Sequence, residues 1–198
     1  AESIMTTDTF PKLRAKEITD DKGNVLYRMA GFSKGAGMIH PNMATMLSSV
    51  FTDAKVSKEC LNHASTYAAN RSFNSISVDG DMSTNDTFAV FANGASNTSP
   101  IIDNINSKEF EHFQGNLKEF AVELAKLIVR DGEGATKFIT IRVNGARTYE
   151  EGKTVAESIG NSPLVKTAIY GKDANWGRII CAIGYSGVPI TPELVNLH

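Results

Sequence analysis

The stretch from Ser107 to about Arg130 constrains the fold most. Leu117, Phe120, Ala121, Leu124, Leu127 and Ile128 recur there at three- and four-residue spacings, the period that gathers side chains on one side of an α-helix. So broad a stripe needs an apolar cover, and the short β-rich runs elsewhere offer a sheet. Val25 to Lys34 alternates as a strand, and Thr45 to Thr52 reads as a second, strongly apolar one. Ser57 marks the N-cap of a helix reaching about Asn70, with Glu59 in its first turn and Cys60, Ala64, Tyr67 and Ala68 approximating one face. Phe73 to Val78 and Thr87 to Ala92 read as neighbouring strands joined by the polar turn from Asp79 to Asp86. Beyond the long helix, Phe138 to Val143 alternates as a strand. Thr154 to about Tyr170 reads as a helix interrupted near Gly160 to Pro163, and Arg178 to Tyr185 as a buried strand. Helices interleaved with sequence-adjacent strands predict a layered α+β architecture.

Composition narrows the function classes. With 198 residues, 41% of them hydrophobic and 21% charged, the chain is long enough to bury a sizeable core. A net charge of −2 gives no electrostatic reason to expect nucleic acid or an anionic membrane as partner. No apolar run approaches the ~18–20 residues that a membrane span needs. Small molecules and protein subunits are the expected partners. Two cysteines, Cys60 and Cys181, do not make a disulfide framework and read as free thiols. His40, His63, His112 and His198 show no ligand spacing with them, so no metal is expected. Asp79, Asp81 and Asp86 fail the spacing of a calcium loop, and a hydrogen-bonded turn is the better reading.

The chemistry concentrates in Gly31 to Leu47, GFSKGAGMIHPNMATML. A glycine-rich approach delivers one hydroxyl, Thr45, into a Met-Ala-Thr-Met-Leu run, where an unpaired hydroxyl costs ~1–3 kcal/mol if buried. Threonine is a weak nucleophile unless a base sits beside it. Its own α-amine, freed by cutting the preceding peptide bond, is one such base, and with a reference pKa of about 7.7–8.0 it is partly unprotonated near neutral pH. Ala44 before it is small, and Gly35 and Gly37 permit backbone conformations that a Cβ resists. The competing reading of Thr45 is an ordinary β-branched residue in a buried strand.

Four motifs in order sharpen this: Met5-Thr6-Thr7-Asp8-Thr9; the run KGAGMIHPNMATML; Arg130-Asp131-Gly132-Glu133-Gly134-Ala135-Thr136-Lys137; and Gly171-Lys172-Asp173-Ala174-Asn175-Trp176-Gly177-Arg178. Together they resemble the ornithine acetyltransferase family, the bifunctional glutamate N-acetyltransferases or ArgJ proteins of arginine biosynthesis, in their fungal form. The resemblance implies an αββα sandwich of the N-terminal-nucleophile-like type. It implies self-cleavage at the Ala44–Thr45 bond, after which Thr45 takes the acetyl group of N-acetylornithine and passes it to glutamate in a ping-pong cycle through an acetyl-threonine intermediate. Thr7, Lys34 and Glu133 match the family's substrate-binding residues, together with Thr45. No cofactor is implied beyond acetyl-CoA as a second acetyl donor, the use of which separates bifunctional from monofunctional members.

By the same resemblance, residues 1–44 would be the end of an α piece and residues 45–198 the start of a β piece, one structural domain incomplete at both ends. The two pieces would assemble into a larger oligomer, in the mitochondrial matrix for a fungal protein and otherwise in the cytoplasm. The family's oxyanion donors lie upstream of this sequence, so the chain alone is expected to be inactive. Asp173, Asn175, Trp176 and Arg178 suit an anionic amino-acid site or a structural network. Two other functions remain open: an N-terminal-nucleophile amidase or aminopeptidase that passes the acyl group to water, and a non-enzymatic anion-binding module built on Lys34.

Overall fold

The structure, a computed structural model, describes residues 1–40 and 46–198. The chain divides into two compact units, Ala1–Ala135 and Thr136–His198.

The first unit carries strands β1 (Lys12–Thr19), β2 (Val25–Lys34), β3 (Leu47–Thr52) and β4 (Lys55–Val56), helix α1 (Lys58–Asn70), strands β5 (Thr87–Ala92) and β6 (Ile101–Ile102), and helix α2 (Lys108–Arg130). Its main sheet has the order β1-β2-β3-β5. The first two pairings are antiparallel, and β3 with β5 is parallel. A parallel pair needs a long crossover, and α1 lies within it. β4 and β6 form a separate two-stranded parallel ladder.

Both helices begin where a serine can satisfy an orphan amide. Ser57 accepts from the Cys60 amide and Ser107 from the Phe110 amide. α2 lies on β1 and β2 and packs against α1. Its buried stripe of Phe113, Leu117, Phe120, Leu124 and Ile128 meets Tyr27, Met29 and Val50 of the sheet. They approach closely at Gly31, where a Cβ would stand 2.8 Å from the Ser49 carbonyl oxygen and 2.9 Å from Cε1 of Phe120. That position admits only glycine without a shift in its neighbours.

The opposite face of the sheet is also apolar. Cross-strand register sets Leu13 beside Phe32 and Ala30 beside Phe51, and the Phe51 and Phe91 rings stack with centroids 5.1 Å apart. Leu13, Leu47, Phe51 and Phe91 are exposed. The architecture is α+β, and this unit supplies a helical layer and a sheet of the kind an αββα sandwich requires.

The second unit is helical: α3 (Tyr149–Asn161), α4 (Pro163–Tyr170) and α5 (Trp176–Gly184). They close over Val155, Ile159, Val165, Ala182 and Ile183. The expected interruption falls at Ser162, which ends α3 and caps α4 by accepting from the Val165 amide, with Pro163 at the first helical position.

Three expected strands are not strands. Residues 73–75 form a 3-10 turn, because Phe73 drops into the core against Phe88, ring centroids 5.0 Å apart, while Ser72 and Ser75 hydroxyls donate to the Ala68 and Asn70 carbonyls. The strand beside β5 is β3 instead. Residues 138–143 join no ladder among the described residues. Their alternation survives as packing, since Ile141 and Val143 lie on the helical cluster of the second unit. Residues 178–184 are helical, with Tyr185 as the C-cap, and Ile179, Ala182 and Ile183 fall at the spacing of one helix face. A short apolar run reads equally well as strand or helix. β1 escaped the sequence reading because three of its four helix-facing positions carry Lys12, Arg14 and Lys16, leaving Ile18 as the one apolar residue of that face.

Candidate active site

Three distant segments meet at one end of the main sheet: the turn at residues 5–9, the loop leaving β2 at residues 35–39, and the end of α2 at residues 131–133. Lys34, the last residue of β2, is 8% exposed. Its ammonium donates to the Thr6 hydroxyl at 3.1 Å. Gly35 takes a φ of 137°, open to glycine and costly for other residues, and its amide donates to Asp8 Oδ1 at 2.8 Å. The Thr6 amide donates to the other oxygen of Asp8 at 3.3 Å.

Glu133 is tied to the same loop. Its amide donates to the Ala36 carbonyl at 2.8 Å, and its carboxylate lies against Gly37, where a Cβ would stand 2.7 Å from Oε2. Lys34 and Glu133, 99 positions apart in sequence, thus attach to one loop, Lys34 at its start and Glu133 at Ala36 and Gly37. Glu133 is exposed and Lys34 is nearly buried, an acceptor for an ammonium beside a partner for a carboxylate. Thr7 is exposed, and its neighbour Thr6 is the residue that touches Lys34. Ala44 and Thr45 lie outside the described residues.

Beneath these segments sits a cluster that the sequence reading missed. The Lys12 ammonium donates to Asp8 Oδ1 at 2.5 Å and to Asp131 Oδ2 at 2.6 Å, with the lysine and Asp8 side chains fully buried and that of Asp131 2% exposed. Asp131 also accepts from the Thr9 amide at 2.9 Å and from the Thr9 hydroxyl. Burial pushes both carboxyls up. The hydrogen bonds and the charge of Lys12, with Gly35 and Thr6 helping Asp8 and Thr9 helping Asp131, outweigh it and hold both below the ordinary carboxylate value. A Lys four residues after an Asp is too common a pattern to have announced this.

The polar turn at residues 79–86 engages both flanks of residues 41–45. Asp79 accepts from the amides of Met38 at 2.6 Å and Ile39 at 3.0 Å, and Asp86 accepts from the Met46 amide at 2.6 Å. Met38 has a positive φ of 55°, a strained backbone that Asp79 helps to hold. Burial pushes the Asp86 carboxyl above its ordinary value despite that amide, and its second oxygen finds no hydrogen-bond partner among the described residues. These carboxylates serve backbone amides. Among the described residues no group of three His, Cys, Asp or Glu side chains could hold a metal ion.

In the second unit the Arg178 guanidinium donates to the Leu164 carbonyl at 2.9 Å and the Thr167 hydroxyl at 3.1 Å, bracing α4 on α5. Asn175 donates to Asp173 at 3.2 Å, and Trp176 is exposed beside an open, largely apolar cleft of about 310 Å³. Arg178 is thus spent within its own unit.

A sequence model of the ArgJ family matches residues 1–198. The chain belongs to the ArgJ family. It is 57% identical over 197 residues to the mitochondrial arginine biosynthesis bifunctional protein ArgJ of Candida tropicalis, covering 98% of this chain and 48% of that protein. With the protein of the same name from Pyrenophora tritici-repentis it shares 55% over 195 residues, 98% of this chain and 42% of that protein. The chain therefore spans less than half the length of these ArgJ relatives. Among solved structures, the arginine biosynthesis bifunctional protein ArgJ of Bacillus halodurans superposes with a TM-score of 0.66 at 46% identity, covering 73% of this chain and 66% of that one.

Proposed function

We propose that this chain is the central portion of a glutamate N-acetyltransferase that moves the acetyl group of N-acetylornithine to glutamate. The observation that carries this reading is the convergence of Lys34 and Glu133 on one loop, which continues in sequence into residues 41–45. Amino-acid substrates present a carboxylate and an ammonium, and Lys34 and Glu133 offer the complementary pair. In this reading the precursor cuts itself at Ala44–Thr45. The new α-amine accepts the proton of the Thr45 hydroxyl, which attacks the acetyl carbonyl. Ornithine leaves, and the glutamate amine then takes the acetyl group from the threonine. Thr7 contributes a hydroxyl to substrate binding beside Thr6 and Lys34, and acetyl-CoA is a candidate second donor. The products of cleavage, residues 1–44 and 45–198 with the remainder of the full-length protein, stay together and assemble further in the mitochondrial matrix, the organelle that names the fungal relatives.

The test uses the full-length protein. Intact mass and N-terminal sequencing should reveal a new amino terminus at Thr45, and Thr45→Ala should abolish both cleavage and acetyl transfer. Incubation with N-acetylornithine should yield acetylglutamate only when glutamate is present. Accumulation of free acetate without acetylglutamate would assign the chain to the hydrolases, and an uncut, active protein would remove Thr45 from its role.

A further inference from the structure

We propose that Lys12 is a positioning residue for acyl transfer, its ammonium setting the distance between the Lys34 and Glu133 sides of the substrate site by bridging Asp8 to Asp131. This rests on the acetyltransferase reading above.

Connectivity is the first argument. Asp8 spends its remaining bonds on the Gly35 and Thr6 amides, the residue after Lys34 and the residue whose hydroxyl Lys34 touches. Asp131 spends its own on Thr9 and stands two residues before Glu133. One nitrogen therefore joins the segment that holds Lys34 to the segment that presents Glu133. Lys12 is 1% exposed, so it acts through these carboxylates and not on substrate.

Energetics is the second. A buried ion cluster is a poor way to stabilise a fold, because desolvation consumes most of the Coulombic gain and a well-packed apolar side chain usually does as well or better. What a fully bonded cluster does supply is a fixed geometry. The surroundings agree. Along the helix-facing side of the sheet, the row of Lys12, Ser33 and Ser48 is polar and buried, and the Ser33 hydroxyl finds no partner among the described residues. The neighbouring rows bury apolar Val50 and Met29 and leave the charged side chains of Arg14 and Lys16 exposed on the edge strand. Buried charge in the sheet is confined to the end that carries Lys34, and the ammonium also sits at the C-terminus of α2, where the helix dipole favours a cation.

The experiment compares full-length wild type, Lys12→Met, which keeps the side chain's length without its charge, and Asp131→Asn. Acetyl transfer is measured against N-acetylornithine concentration. Rates are normalised to the fraction of protein bearing Thr45 at an amino terminus. Because a displacement of order 1 Å in a site costs about 10²-fold, the KM of Lys12→Met should rise about tenfold or more. Its kcat per cleaved molecule should change by less than about threefold, and Asp131→Asn should move KM in the same direction by less. A merely structural lysine predicts the reverse, fewer competent molecules with unchanged KM, and that result overturns the proposal. So does wild-type KM in both variants, or failure of both to fold, which would assign the cluster to folding. A wild type that transfers no acetyl group sinks the acetyltransferase reading and the positioning role with it. An active wild type with indifferent variants sinks only the role of Lys12.

Discussion

The interface between α2 and the sheet is built in two ways along its length. Its middle is a dry apolar contact, with Phe113, Phe120 and Leu124 fully buried over Tyr27, Met29 and Gly31. Its far end, two turns of helix later, is an ionic knot of Lys12, Asp8 and Asp131 under the loop to which Lys34 and Glu133 attach. The middle holds the unit together. The end gains little stability for the charges it buries and fixes where three chain segments lie. Stability and site geometry are thus carried by different residues of the same helix and strands, and substitutions should separate them.

The largest separation is expected from Phe120→Ala. The ring is 0% exposed and lies against Gly31 of the sheet, so its removal should cost about 3–5 kcal/mol of unfolding free energy. The folded fraction should keep a wild-type KM. Denaturant unfolding and steady-state kinetics on one preparation test both halves, and a KM change as large as that of Lys12→Met would erase the distinction.

Gly37→Ala should do the opposite, on a smaller scale. The new methyl would stand 2.7 Å from the Glu133 carboxylate, the far end of an exposed, flexible side chain that can swing away cheaply. Gly37 lacks the positive φ of Gly35, so alanine strains no backbone there and stability should move by less than about 0.5 kcal/mol, as for an ordinary surface change. Glu133 leaves its place, and KM for N-acetylornithine should rise about tenfold, some 1.4 kcal/mol of binding. An unchanged KM would show that the carboxylate does not need the position it holds against Gly37.

The same division explains what the sequence disclosed. α1, α2, β2 and β5 were legible because their burial is periodic and their caps are local: Ser57 and Ser107 act within three residues of themselves. β1 was not, because Lys12 is buried by a partner 119 positions away, and charge in a strand otherwise signals solvent. The helical turn of α5 and the extended residues 138–143 show the limit from the other side, since apolar content without a partner decides neither period nor pairing. At the candidate site, Lys34 and Glu133 were singled out through motif resemblance. Nothing in their local sequence predicts that Gly37 and Ala36 bring them together. Thr7 was singled out by the same route, whereas the geometry gives the contact with Lys34 to Thr6.

Acid should reveal the ionic end with the smallest signal of the three, and its sign is determined. Asp8 and Asp131 are held below the ordinary value of 3.8 in the folded chain, so near that pH the unfolded chain binds more protons than the folded one. Their contribution to stability is complete above 3.8 and is lost as pH falls through the depressed values. Asp131→Asn lacks the Asp131 part of this contribution, so its deficit against wild type should be full at pH 7 and should shrink below about pH 4. Taking the difference cancels groups common to both proteins, among them Asp86, whose raised value acts with the opposite sign. The exposed pairs Arg14–Glu123 and Lys16–Glu119, each 3.7 Å apart on the same face of β1, belong to a class worth about 0–1 kcal/mol and are screened by salt. Repeating the titration at high salt should therefore leave the Asp131→Asn deficit in place. A deficit that stays constant down to pH 3, or that vanishes with salt, would mean that Lys12 does not hold the Asp131 carboxylate in a dry environment, and the contrast between the two ends of the interface would be lost.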